Sequence, residues 1–258
     1  MFDGLREAAQ GLIHRRALRR WARAAARAET LDLPRLRVLR GRAREIRRRV
    51  DRFLHVAEGR LTLPVIGSNA IRKPLHTDWA YRPELWRGPV SPRGVAAAEN
   101  RTALGTEARI YHDCAISEVT LRQVRNTREE DLAPFGLRVD VFRFDGTFLS
   151  LVIDLPQAAV ENLTRDHIIE VTTVVEEEKP LELFARLNIQ HGPNVEQIVL
   201  EFPLDRGPEA AVAFDLAYTD INEKRVERMW LDLIFEGPEM NQVLLRDVTL
   251  TRRPRAGF

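Results

Sequence analysis

The chain has 258 residues, 44% of them apolar and 30% charged, which is enough to bury a real core and too mixed for a fibrous or low-complexity protein. No window approaches 18 uninterrupted apolar residues and the N-terminus lacks the apolar core of a secretory signal, so a membrane-crossing helix is not expected. The expected location is cytoplasmic, or peripheral at the membrane if the basic helices read next engage lipid. A single cysteine, Cys114, excludes an internal disulfide and a cysteine-rich zinc site.

The formal charge of +2 joins two unlike parts. Residues 1–60 carry 17 arginines, no lysine and seven acids, an excess of ten positive charges, which leaves −8 for the remainder. Within this basic segment the spacing predicts a helical hairpin. At 100° per residue, Arg15, Arg16, Arg19, Arg20, Arg23 and Arg27 share one arc of a first helix, with Trp21 and alanines opposite. Asp32 and Pro34 then supply start signals for a second helix, whose stripe is Leu36, Leu39, Ala43, Ile46, Val50, Phe53, Leu54 and Ala57. Two readings stay open: the stripes pack away and the arginines are solvated, or the basic face meets an anionic membrane, a protein partner or, with less support, nucleic acid.

From residue 61 to 106 the periodicity lapses, with Pro64, Pro74, Pro83, Pro89 and Pro92 interrupting any ladder. Trp79, Tyr81, Leu85 and Trp86 are too apolar to hang in solvent, so an extended arm packing on the following domain is expected, with those aromatics buried as anchors or forming a ligand-binding lip.

Over residues 107–258 the period becomes two. Ten runs from EARIYHD to VLLRDVTLTR alternate apolar and polar residues, separated by turn chemistry at Asp145-Gly146, His191-Gly192-Pro193 and Gly237-Pro238. Ten strands without long helices between them imply antiparallel pairing. The expected fold is therefore mainly β, an antiparallel β-sandwich of jelly-roll type preceded by the helical hairpin. The stretch PQAAVENLT alone reads as a helical turn between strands.

No Walker loop, GxGxxG, CxxC, HExxH or GxSxG occurs, and the six histidines show no ligand spacing, so no catalytic residue, metal or cofactor is assigned. His112, Asp113 and Cys114 are consecutive, which along a strand sends neighbours to opposite faces. Acid pairs such as Asp140 with Asp145, or Asp232 with Asp215, would serve glycoside hydrolysis only if the fold set them across one cleft.

Two strands carry an unusual outer face. In PLELFARLNIQ the core parity is Leu181, Leu183, Ala185, Leu187 and Ile189, which sends Phe184, Arg186, Asn188 and Gln190 outward. In MWLDLIFE the core parity is Met229, Leu231, Leu233 and Phe235, which sends out Trp230 and Asp232. A ring beside planar hydrogen-bonding groups suits a sugar, whose C–H face stacks while its hydroxyls are bonded. Alternatively the proline-rich arm or the hairpin covers this face, with Trp230 against Trp79 or Trp86.

The runs TDWAYRPELWRGP, FGLRVDVFRFDGTFLSLVIDLP and MWLDLIFEGPEMNQVLLRDVTLTRRPRA resemble an alphaproteobacterial family classed as a domain of unknown function, over about residues 64–255. That family implies no activity, ligand or catalytic residue. The closing pattern of Trp-bearing strand, Gly-Pro turn and final strand is also similar to galactose-binding-like and carbohydrate-binding jelly rolls. Two function classes follow: a non-catalytic module binding a glycan or other polar ligand, and an adaptor docked through its basic helices.

Overall fold

The computed structural model describes residues 15–62 and 70–255, and the chain divides into two compact units, Met1–Val56 and Ala57–Phe258. The first unit is helical. Helix α1 covers residues 15–26 and α2 is Leu33–Thr62; the Leu36 N–H donates to the Asp32 carbonyl at the start of α2, and Pro34 occupies its first turn, where a missing N–H is harmless. No side chain from residue 15 to 50 is buried, and Leu18, Val38, Ile46 and Val50 stand open. Trp21, Leu36 and Leu39 of the expected stripes are half-buried. Alanine and arginine dominate α1, whereas α2 adds to its arginines a set of aliphatic residues and Phe53.

The second unit is a sandwich of two antiparallel sheets. Its elements in chain order are β1 (Trp79–Tyr81), helical turn α3 (Glu84–Arg87), β2 (Gly94–Val95), β3 (Ala103–Leu104), β4 (Ala108–His112), β5 (Val119–Arg125), β6 (Phe135–Val141) and β7 (Leu149–Asp154). After a 3₁₀ turn at Gln157–Ala159, where a helical turn is expected, come β8 (His167–Glu177), β9 (Glu182–His191), β10 (Asn194–Glu201), β11 (Glu209–Asp215), β12 (Val226–Glu236) and β13 (Asn241–Pro254). Sheet A runs β11-β8-β13-β6-β5-β2, with β1 added to β13, and sheet B runs β10-β9-β12-β7-β4-β3. All ten strands expected beyond residue 107 form, and the chain crosses repeatedly between sheets, as a jelly roll does.

Period-two parity makes the core. Ile169 and Val171 of sheet A face Leu187, Ile189, Leu231 and Leu233 of sheet B, all sealed from water in one apolar cluster. The hairpin from β9 to β10 closes on Gly192 and Pro193, and Gly192 supplies the positive φ of 63° that other residues adopt at a cost.

Residues 70–106 do more than lie over this sandwich: β1 and β2 join sheet A and β3 joins sheet B. Trp86 is fully buried and donates its indole N–H to the Leu245 carbonyl at 2.9 Å, whereas Trp79 is only half-buried and stacks on Tyr81. Both tryptophans belong to the sheet A side, so neither covers Trp230, which lies in sheet B. The arm is clamped by the buried Arg82 guanidinium, whose Nε and Nη2 reach the two oxygens of Asp247 at 2.8 and 2.7 Å.

Replacing Arg82 with Met leaves the Asp247 carboxylate almost dry and unpaired; urea unfolding should show a loss of about 3–5 kcal/mol. A second expectation concerns Gly136 in β6, where an added Cβ would meet the Leu245 carbonyl oxygen and the Asn126 Oδ1 each at 3.0 Å. Gly136→Ala should destabilise by about 1–3 kcal/mol in the same assay.

Candidate functional site

The outer face of sheet B gathers the six residues that parity sends outward, because β9 and β12 are direct neighbours. Cross-strand register sets Trp230 beside Asn188, Asp232 beside Arg186 and Ile234 beside Phe184, with Gln190 next to Arg228. On the other side of β12, Asp154, Val152 and Ser150 of β7 continue the same rows. Sequence parity thus identifies the face, but two of its members are not displayed as expected. Asn188 is wholly buried, and Asp232 is only 2% exposed.

Both are tied into the sheet. The Arg186 Nε and Nη2 donate to the same Asp232 oxygen, Oδ2, at 2.7 and 2.6 Å. Asn188 donates through Nδ2 to the Arg186 carbonyl at 3.1 Å and accepts from Gln197 Nε2 at 2.8 Å. These residues position others and do not themselves present bonding groups. Asp232 Oδ1 and the Ser150 hydroxyl oxygen are buried on this face with no hydrogen-bond partner. A buried acceptor without a donor costs about 1–3 kcal/mol, more when charged; Asn126 Oδ1, Glu177 Oε2 and Thr251 Oγ1 are in the same position elsewhere in the sandwich.

Trp230 is half-buried, and one side of its ring is occupied by the Arg228 guanidinium at 4.8 Å from the centroid. Arg228 is held in turn by Asp154, whose Oδ1 accepts from Arg228 Nη2 at 2.5 Å while Oδ2 accepts from Arg109 Nη1 at 2.7 Å. Three arginines of this face are therefore held by two carboxylates, and one of them, Arg228, lies on the Trp230 ring. Sequence reasoning missed Arg109, Asp154 and Arg228. Asp154 ends the run LSLVID on the outer parity, so its direction was readable, but which strands flank it was not.

The other sequence candidates lie elsewhere. Asp215 is in β11 of sheet A, where it caps a 3₁₀ turn and pairs with Arg255, so it shares no cleft with Asp232 in sheet B. Asp140 is taken up by Arg138 at 2.9 Å. Burial pushes the Cys114 thiol up, which disfavours the thiolate, and His112 Nε2 lies 2.8 Å from the Ala98 carbonyl with Nδ1 accepting from the Cys114 N–H. Among the described residues no group of three His, Cys, Asp or Glu side chains is placed to hold a metal.

The outer face of sheet A has a recess of about 430 Å³, lined by Arg72, Lys73 and Pro74 from the arm and by Thr172, Val174 and Thr249 from the sheet. Its charged walls are internally matched. Glu176 sits between Arg246 and Arg128; burial works against its ionisation, but hydrogen bonds and charge from both guanidinia hold its carboxyl below the usual range. In the first unit, Arg16, Arg19, Arg20, Arg23 and Arg27 join Arg35 of α2 around a hollow of about 490 Å³; Arg15 is exposed but does not line it.

The family model described as "Family of unknown function (DUF6478)" matches residues 1–258. The chain belongs to that family. Its match takes in the helical unit as well as residues 64–255, the span suggested by the sequence runs. No curated protein matches the chain. Among solved structures, the enzymatically active domain of bacteriophage CBA120 tailspike protein 4 superposes with a TM-score of 0.40 at 7% identity, over 56% of this chain and 19% of its own. The family 11 carbohydrate-binding module from Clostridium thermocellum gives 0.36 at 8% identity, over 62% of this chain and 97% of its own. The CBM22-1 xylan-binding domain of Paenibacillus barcinonensis Xyn10C gives 0.35 at 7% identity, over 72% and 100%. This chain thus spans about a fifth of the length of the tailspike domain it matches.

The Arg186 and Asp232 pair should be energetically coupled. Removing Arg186 alone (Arg186→Ala) strands a carboxylate that is 3% exposed and should cost about 3 kcal/mol in urea unfolding. The double replacement Arg186→Ala with Asp232→Ala should recover part of that loss, and a double-mutant cycle measures the difference.

Proposed function

We propose that the outer face of sheet B is a non-catalytic binding surface for a neutral, polyhydroxylated ligand of the glycan class. The observation that carries the reading is the half-exposed indole of Trp230 set among immobilised planar donors, beside a buried carboxylate with one oxygen unpaired. A sugar offers what that surface lacks: a flat C–H face for the open side of the ring, and hydroxyls that both donate and accept.

Charge favours a ligand without a strong charge of its own. Arg186 is offset by Asp232, and Arg109 and Arg228 share Asp154, so the three guanidinia are compensated down to a single positive charge yet keep further N–H donors. Holding them against carboxylates before binding lowers the ordering cost that long side chains otherwise impose. Gln190 and Gln197 extend the donor and acceptor row to the sheet edge.

A glycan array followed by tryptophan-fluorescence titration of any hit tests the reading. Trp230→Ala should weaken binding about tenfold or more, as truncation of a central aromatic anchor does. Silence across the array, or a Trp230→Ala protein that binds as tightly as the parent, would sink it.

A further inference from the structure

The hollow between α1 and α2 is lined differently from the recess on sheet A. Arg16, Arg19, Arg20, Arg23, Arg27 and Arg35 converge on it over a floor of Ala24, Leu31 and Leu39. In the sandwich, arginines such as Arg82, Arg109, Arg138 and Arg186 are matched to carboxylates. None of the six around the hollow makes an ion pair among the described residues; Arg20 lies over the Trp21 ring at 5.7 Å. From residue 15 to 50 the sequence sets 14 arginines against three acids, one of which, Glu45, is taken by Arg49 away from the hollow. Guanidinia collected at one place without counter-charges fit a multivalent anionic partner.

The shape of α2 selects the kind of anion. Arg35 and Leu39 lie on the same helical face as Ile46, Val50 and Phe53, spaced four, seven, four and three residues apart. Those three apolar side chains are 42%, 47% and 70% exposed. At 1.5 Å per residue α2 is about 45 Å long, so arginines at one end and bare aliphatic and aromatic groups further along form one continuous face. Phosphate backbones of nucleic acid would use the arginines and ignore Ile46, Val50 and Phe53. An anionic bilayer uses both, with phosphates at the guanidinia and apolar side chains at the level of the acyl boundary.

We infer that the helical unit is a docking element for an anionic phospholipid surface, in which the six-arginine hollow takes lipid phosphates and the Ile46, Val50 and Phe53 stripe inserts at the interface. Arginine suits this because its fork bonds phosphate oxygens in pairs while its stem lies on apolar surface.

The test is sedimentation of the full chain with vesicles of phosphatidylcholine alone or mixed with phosphatidylglycerol, at low and physiological salt. Binding is expected only to the mixed vesicles. Reversing Arg19, Arg23 and Arg35 together to Glu should lower the partition coefficient about tenfold or more, whereas changing the same three to Lys should keep it within about threefold. Lys at these positions leaves the charge in place and so separates lost attraction from lost folding, which circular dichroism also monitors. Ile46→Gln with Val50→Gln and Phe53→Gln should reduce binding at physiological salt about threefold or more while leaving duplex DNA, the control ligand, unaffected. Failure to bind mixed vesicles at low salt overturns the inference. So does binding to DNA more tightly than to those vesicles with no response to the three apolar replacements.

Discussion

The sandwich depends on one irregular strand. β13 pairs with β8 along most of its length, but the register shifts between Leu245 and Asp247, leaving Arg246 as an extra residue. On the opposite edge, pairing with β6 stops at Leu245 and pairing with β1 begins only at Leu250. A bulge in that gap would leave backbone carbonyls without ladder partners inside the protein, where an unpaired group is costly. Side chains supply the missing bonds: Trp86 donates to the Leu245 carbonyl and Asn126 to the Arg246 carbonyl, while Arg82 grips the Asp247 carboxylate. The segment between the helices and the first long strand is held in place because β13 needs it. Gly136 is small for the same reason, since the bulged backbone crosses directly against it.

The same bulge shows where sequence reasoning stops. Alternation identified every long strand and the correct inward set, such as Leu183, Ala185, Leu187 and Ile189, because burial on one face leaves a local, period-two trace. The arm left no such trace. Its strands are two or three residues long, too short for any period, and its key bonds join residues 159 to 165 positions apart. Trp86 could be expected to be buried on its size alone, but that its indole would complete another strand's ladder is a property of the folded pair.

The candidate face shows a finer version of this division. Parity put Trp230, Asp232, Arg186 and Asn188 on one side of their strands, which is a local fact, and the structure brings them together because β9 and β12 are neighbours. What parity could not say is which of them would be spent on each other. Asp232 and Arg186 are directly opposite, so the acid became the anchor of the base, and Asn188 was consumed by backbone and by Gln197. The residues that now define the chemistry of the indole's surroundings, Arg228 and Asp154, are 74 positions apart and meet only through β7 and β12 pairing.

Arginine supplies nearly all the cationic charge of this chain, and a compositional bias would explain its abundance without explaining its arrangement. The arrangement differs between the two units. In the sandwich a guanidinium is typically set against a carboxylate with a defined geometry, whether to clamp the arm at Asp247 or to immobilise donors around Trp230. In the helical unit six converge on one hollow with no acid between them. Local composition contributes to the difference, since residues 15–50 hold 14 arginines and three acids while the chain beyond residue 60 carries an excess of acids. Matched charge in one unit and unmatched charge in the other therefore mark two kinds of surface. One has most of its charge compensated and offers hydrogen-bonding groups in fixed positions. The other keeps a local excess of positive charge.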